Sequence, residues 1–142
     1  MAVKQISVLL DNIPGSLSRL TNILDKSDIT PKAMLAASTT ESSTVRLVVN
    51  NPERAVAILE SFNLNCELTP VLAAEVPLHH GGMNAILKPL SGADINIHYL
   101  YTTINRIGTE TIVILGVDKP EEARNVLQRN WVHIVEDEIY NL

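Results

Sequence analysis

Aromatic side chains are only 4% of this 142-residue sequence, so its core must be built from Val, Ile, Leu and Ala. That leans towards sheets and helices packed through aliphatic side chains. Cations are also short: Lys and Arg number 11 against 16 acids, a formal net charge of −5. An acidic surface repels phosphate backbones, so no nucleic-acid partner is expected. The single cysteine, Cys66, excludes an internal disulfide and fits a reducing compartment. No stretch reaches the roughly 18 apolar residues of a membrane span. The segment Met1 to Leu10 has one Lys4 and lacks the apolar run and cleavage site of a signal peptide. The expectation is a cytoplasmic chain with no membrane partner. What the sequence does contain, 46% hydrophobic and 19% charged residues, is enough to fold.

Hydrophobic periodicity sets the order of elements. Val3 to Leu10 alternates, with Ile6, Val8 and Leu10 on one face and Gln5, Ser7 and Leu9 on the other, the pattern of a half-buried strand. Asp11-Asn12-Ile13-Pro14-Gly15 is turn material. Leu17, Leu20, Ile23 and Leu24 recur at helical spacing, which predicts a helix from about Gly15 to Lys26. Ile29 to Ser38 and Thr44 to Asn50 read as strands joined by a polar hairpin connection. Asn51-Pro52 is a helix start, with Asn as N-cap and Pro at the first helical position. Cys66 to Val76 is extended. The second half repeats the order: a helix opened by Gly81-Gly82, strands over Ile95 to Ile104 and Thr111 to Val117, a helix opened by Asp118-Lys119-Pro120, and a closing strand over Val132 to Glu138.

The repeat is quantitative. Gly81, Met83, Ile86, Leu90 and Ile95 lie 66 positions after Gly15, Leu17, Leu20, Leu24 and Ile29. Beyond the hairpins the offset becomes 68, as in Pro52 and Pro120, Ala55 and Ala123, or Leu59 and Leu127. Two extra residues near Asn105 to Glu110 account for the change. Matched order and matched core positions point to two copies of one unit. The expected fold class is α+β: two ferredoxin-like βαββαβ units, residues 1–70 and 71–142, each an antiparallel sheet with helices on one face.

The loop before the first helix could hold an anion. A helix starting near Gly15 leaves the N–H groups of Gly15, Ser16 and Leu17 without partners, with the positive end of the helix dipole behind them. Gly15 has no Cβ, and Asn12 offers both a donor and an acceptor. A simple turn explains the same residues. Asn96, between Ile95 and Ile97, either faces a ligand or marks a strand start. Tyr99 and Tyr101 read as core, Trp131 as a cap on the second core, and Arg46 as an edge residue reaching for solvent. His79-His80 reads as a polar loop, since neither His98 nor His133 stands at metal-ligand spacing from it. Cys66 has no histidine placed to activate it.

The segment Leu10-Asp11-Asn12-Ile13-Pro14-Gly15-Ser16-Leu17 resembles the strand–loop–helix signature of ACT domains, Asn two residues before Pro-Gly and then Gly-x-Leu. With Lys4 to Val8, Arg46 to Val49, Ala74 to Pro77 and Ile95 to Tyr101, the chain as a whole is similar to tandem ACT proteins. The resemblance implies a non-catalytic regulatory protein that binds a free amino acid and forms a homodimer, with no cofactor and no metal. It implies a ligand site formed by Asn12, Ile13, Pro14, Gly15, Ser16 and Leu17 together with Asn96. The sequence departs from the pattern at Leu78-His79-His80-Gly81 and at Ile29-Thr30-Pro31. A second site of Leu78, His79, Gly81, Gly82, Met83 and Thr30 is therefore expected to be weaker.

Two other functions on the same framework lack residues they need. An acylphosphatase requires an Arg in the first strand–helix loop, and residues 11–16 have none. An RNA-recognition sheet stacks bases on aromatics of its central strands, and Val45 to Asn50 and Thr111 to Val117 contain none. An interaction module with degenerate ligand sites, regulating a separate enzyme of amino-acid metabolism, remains open.

Overall fold

The computed structural model describes residues 2–77, 79–104 and 111–142. Its elements follow the expected order: β1 (Val3–Asp11), α1 (Ser16–Lys26), β2 (Pro31–Ser38), β3 (Ser42–Val49), α2 (Pro52–Ser61), β4 (Asn65–Val76), α3 (Gly82–Gly92), β5 (Ile97–Thr102), β6 (Thr111–Val117), α4 (Pro120–Arg129) and β7 (Ile134–Val135). The chain divides into two compact units, Lys4–Thr69 and Pro70–Leu142, with Met1–Val3 counted in the second.

In the first unit β3 lies between β2 and β1, antiparallel to both, and β4 lies on the other side of β1. Ile6, Val8, Leu10, Val45, Leu47 and Val49 face Leu20, Ile23 and Leu24 of α1 and Ala55 and Leu59 of α2 in one buried cluster. Both helices therefore cover a single face of the sheet, as alternating strands and 3.6-residue stripes require. The second unit repeats the plan. β6 lies between β5 and β4, and β7 pairs with β4. Its core joins Leu72, Ala74, Val76, Val113 and Leu115 to Ile86 and Leu90 of α3 and Ala123, Val126 and Leu127 of α4. β4 serves both cores in turn, since Cys66 and Leu68 pack on the first.

The repeat extends to backbone conformation. Asp28 and Asp94, 66 positions apart, have φ of 56° and 58°, and Asn63 and Trp131, 68 apart, have φ of 61° and 64°. Each follows a helix and closes it with a backwards bond: Ile29 N–H to Leu24 O and Ile95 N–H to Leu90 O at 3.0 Å, Leu64 N–H to Leu59 O at 3.1 Å and Val132 N–H to Leu127 O at 3.0 Å. These are left-handed helix stops, which satisfy orphan carbonyls.

Five details differ from expectation. Trp131 does not cap a core; it is 95% exposed. Arg46 is not on an edge, because β3 is central and pairs Arg46 with both Ser7 and Leu35. Gln5, assigned to the outer face of β1, is fully buried. The closing strand is only Ile134–Val135; Arg124 holds Glu136 at 2.6 Å, and the chain then turns through a 3₁₀ segment, Asp137–Asn141, that buries Ile139. Finally, a register shift between Ile97 and Tyr99 reverses the facing of β5. Ile97 packs with the helices, while Tyr101, buried as expected, pairs with Ile114 outside that cluster, and Tyr99 covers Gly116, where a Cβ would sit 2.2 Å from its ring. A bulge re-aims every side chain beyond it.

Candidate functional site

The first loop is a tight double turn. Ile13 N–H donates to Asp11 O at 3.0 Å and Ser16 N–H to Ile13 O at 3.3 Å. Gly15 then adopts φ +90° as the residue before α1, a conformation glycine adopts without strain. Arg19 N–H closes the first helical turn on Gly15 O at 2.9 Å. Ser16, expected among the free donors, is therefore used inside the turn. The amides of Gly15, Leu17 and Ser18 have no acceptor among the described residues.

Asn12 is fixed by the β2–β3 turn. Its N–H donates to Glu41 O at 3.2 Å and its Nδ2 to Thr39 O at 2.9 Å. The carboxamide orientation follows from that bond, since only the nitrogen end can donate to a carbonyl. Oδ1 is left as an acceptor. Ile13 is 62% and Leu17 41% exposed, so the loop surrounds its donors with apolar surface. Leu17, counted in the α1 stripe by periodicity, lies at the rim instead.

The four helix starts differ in charge. α2 has Asn51, whose side chain accepts from Arg54 N–H at 3.3 Å, and Glu53 in its first turn. α4 has Glu121 and Glu122. α1 and α3 have neither an acid in the first turn nor a side-chain cap. Their dipoles are thus uncompensated from within, and α1 adds Arg19, which has no ion-pair partner among the described residues. A carboxylate fits such a start.

The second loop copies this backbone with other side chains. Gly81 has φ +83°, Gly82 N–H donates to His79 O and Ala85 N–H to Gly81 O, both at 3.0 Å. Leu78, the counterpart of Asn12, lies outside the described residues. His79 turns its Nδ1 to His80 O at 2.9 Å. Gly82 is buried, and a Cβ there would sit 2.0 Å from Pro77 O, so its glycine character serves close packing. Met83 is half-buried, as the corresponding Leu17 is not.

Asn96 and Thr30 occupy equivalent positions in the two units. Asn96 N–H donates to Asp118 Oδ1 at 3.0 Å and Asp118 N–H to Asn96 O at 3.2 Å. Thr30 N–H donates to Asn50 Oδ1 at 3.0 Å and Asn50 N–H to Thr30 O at 3.3 Å. The Asn96 backbone is thereby held while its exposed carboxamide makes no bond among the described residues, at a cleft of about 580 Å³ shared with Leu87, Leu100 and Lys119. Asn12 and Asn96 belong to different compact units. Asn50 and Asp118 were missed as positioning residues, although their separation of 68 and their place just before Asn51-Pro52 and Lys119-Pro120 mark them in the sequence.

The sequence profile of the ACT domain pair family matches residues 1–142. The chain belongs to that family. Among solved structures, this ACT pair is similar to a protein from Bacteroides thetaiotaomicron, at 24% identity and a TM-score of 0.92, covering 100% of this chain and 98% of the other. It is also similar to the regulatory subunits of aspartate kinase from Thermus thermophilus and Thermus flavus. The first, in a ligand-free form, shares 13% identity at a TM-score of 0.64, covering 89% and 91% of the two chains. The second shares 13% at 0.62, covering 90% and 92%. At such identities the likeness is one of fold. No curated protein is significantly similar in sequence. Among the described residues of the ACT pair, no group of three or more His, Cys, Asp and Glu could hold a metal ion, and no helix is long and apolar enough to cross a membrane.

Proposed function

We propose that this ACT pair is a non-catalytic cytoplasmic regulator that binds a free amino acid at the Asn12–Leu17 loop. The observation that carries the reading is the start of α1. It has amides at Gly15, Leu17 and Ser18 with no acceptor among the described residues, no acid in its first turn, Arg19 one turn in and Asn12 Oδ1 nearby along the loop. The amides and Arg19 suit the ligand carboxylate, and Asn12 Oδ1 suits its ammonium. Exposed Ile13 and Leu17 favour a small or apolar ligand side chain.

The site is single. The second loop has Leu78 where the first has Asn12, its His79 is turned onto its own loop, and Thr30 has no amide to match Asn96. Residues Leu78, His79, Gly81, Gly82, Met83 and Thr30 thus form at most a site tenfold or more weaker, for a missing polar partner worth about 1–3 kcal/mol. The protein acts as a homodimer.

A thermal-shift screen against the twenty amino acids tests the reading. A ligand at 100 times its Kd adds roughly 2.7 kcal/mol, or several degrees for a chain of this size. Titration calorimetry of the hit should give one site per chain. Asn12→Ala should remove most of the heat, and Leu78→Ala should leave it nearly unchanged. No shift with any amino acid, or normal binding by Asn12→Ala, would refute it.

A second reading has its own observation. The bond from Asn12 Nδ2 to Thr39 O braces the hairpin even with no ligand present. On that reading the ACT pair is an interaction module with degenerate sites, regulating a separate enzyme of amino-acid metabolism, and calorimetry is silent for all twenty.

A further inference from the structure

Trp131 stands where two physical preferences are broken at once. It is the only tryptophan of the chain and is 95% exposed, and it has a backbone φ of +64°. Glycine and asparagine adopt that conformation readily, while a bulky side chain there is an outlier. The first unit makes the same helix stop with Asn63 at φ 61°, so the fold does not need an indole at this place.

Around it the surface has both a projection and a recess. A cleft of about 480 Å³ is lined by Gln128, Trp131, His133 and Glu136. Arg129 follows Gln128 at one end of the cleft and has no ion-pair partner among the described residues. Exposed Asp137 and Glu138 follow Glu136 at the other. Glu136 is engaged by Arg124 at 2.6 Å, and His133 Nε2 lies 3.7 Å from Glu138 and 3.8 Å from Glu75.

We infer that Trp131 anchors a two-fold contact between two copies of this chain, each indole seated in the other's cleft. A patch that contains its own knob, its own recess and exposed charges of both signs is self-complementary. That is the requirement of an isologous interface, in which residue i meets j and j meets i. Arg129 of each copy then faces Asp137 and Glu138 of the other. Tryptophan and arginine are also the residues that most often dominate such contacts. The inference rests on the homodimer proposed above and assigns it a surface.

The single tryptophan makes the test direct. Sedimentation and Trp131 emission are measured together on the full chain from submicromolar to submillimolar concentration. Association should be accompanied by a blue shift of emission with the same midpoint. Trp131→Asn, which installs the residue type of the first unit, should keep the circular dichroism spectrum and the response to amino acids while abolishing association. Arg129→Glu should weaken association, and adding Asp137→Lys and Glu138→Lys should restore it. A dimer whose tryptophan still emits as an exposed indole, or a Trp131→Asn variant that associates normally, would overturn the surface and leave the dimer standing. A chain monomeric at every concentration would overturn both.

Discussion

Replacing Gly82 with alanine would put a methyl group 2.0 Å from the Pro77 carbonyl oxygen. Ordinary contact begins at 3.4 Å, and the obstructing atom is backbone, so no side chain can swing away. Either Pro77 or the start of α3 must move by more than 1 Å, which breaks the bond from Gly82 N–H to His79 O. Overpacking against a rigid neighbour and one lost hydrogen bond together cost about 2–4 kcal/mol. At about 2–4 °C per kcal/mol, the melting midpoint should fall by about 4–16 °C for this substitution. Two controls separate space from backbone conformation. Gly92 ends α3 with nothing within 4 Å and no positive φ, so Gly92→Ala should stabilise by about 0.5–1 kcal/mol. Gly15 also has open space, but at φ +90°, so Gly15→Ala should cost about 1–2 kcal/mol through the backbone alone. Urea denaturation of the three variants gives the comparison by linear extrapolation. If Gly82→Ala lies within about 0.5 kcal/mol of the parent, or is less damaging than Gly15→Ala, close packing is not why Gly82 is a glycine.

Asn51→Ala removes the acceptor for Arg54 N–H and should lower stability by about 1 kcal/mol, read from the same denaturation curves. A change under about 0.3 kcal/mol would show the cap to be dispensable. Burial, and secondarily Glu60, holds the Cys66 thiol above its ordinary pKa. A thiol–disulfide reagent should therefore react slowly with the native protein near neutral pH and faster as pH rises past the usual thiol range. Urea should restore the rate of an unstructured cysteine, and native protein that already reacts at that rate would contradict the burial.

The architecture was legible because the repeat records it twice. Offsets of 66 and 68 taken from Gly15, Leu20, Pro52 and Leu59 also relate Asp28 to Asp94 and Asn63 to Trp131, positions whose left-handed backbone no hydrophobic pattern reports. β5 is a strand with Tyr101 buried as expected, but its facing is where periodicity fails by its nature. Alternation assumes an unbroken pleat, and the shift between Ile97 and Tyr99 sends Tyr101 to the face opposite the one alternation assigns. The cue was on the neighbouring strand: Gly116 interrupts an otherwise branched run, and a glycine in a strand marks a close approach, here by the Tyr99 ring. Trp131 reads as a cap on the second core because aromatics usually bury, whereas its counterpart Asn63 is of the residue type that favours an exposed helix stop.

The candidate site was legible for a different reason, and only in part. Asn12, Pro14 and Gly15 could be found by motif, but a motif cannot separate a turn from a receptor. What separates them is charge, and it can be read by comparing helix starts within the one chain. Asn51 with Glu53, and Glu121 with Glu122, supply α2 and α4 with negative charge or acceptors of their own, whereas the residues opening α1 and α3 supply none. An amphipathic helix needs no acid in its first turn, so this omission alone is neutral. It gains meaning at α1, where Arg19 adds positive charge and Asn12, held by Thr39, leaves an acceptor free. It loses meaning at α3, where His79 is turned onto its own loop and Gly82 is required by Pro77. The same backbone thus carries Arg19 and an acceptor on Asn12 at one helix start and a glycine packed on Pro77 at the other, and the side chains of two loops make the difference.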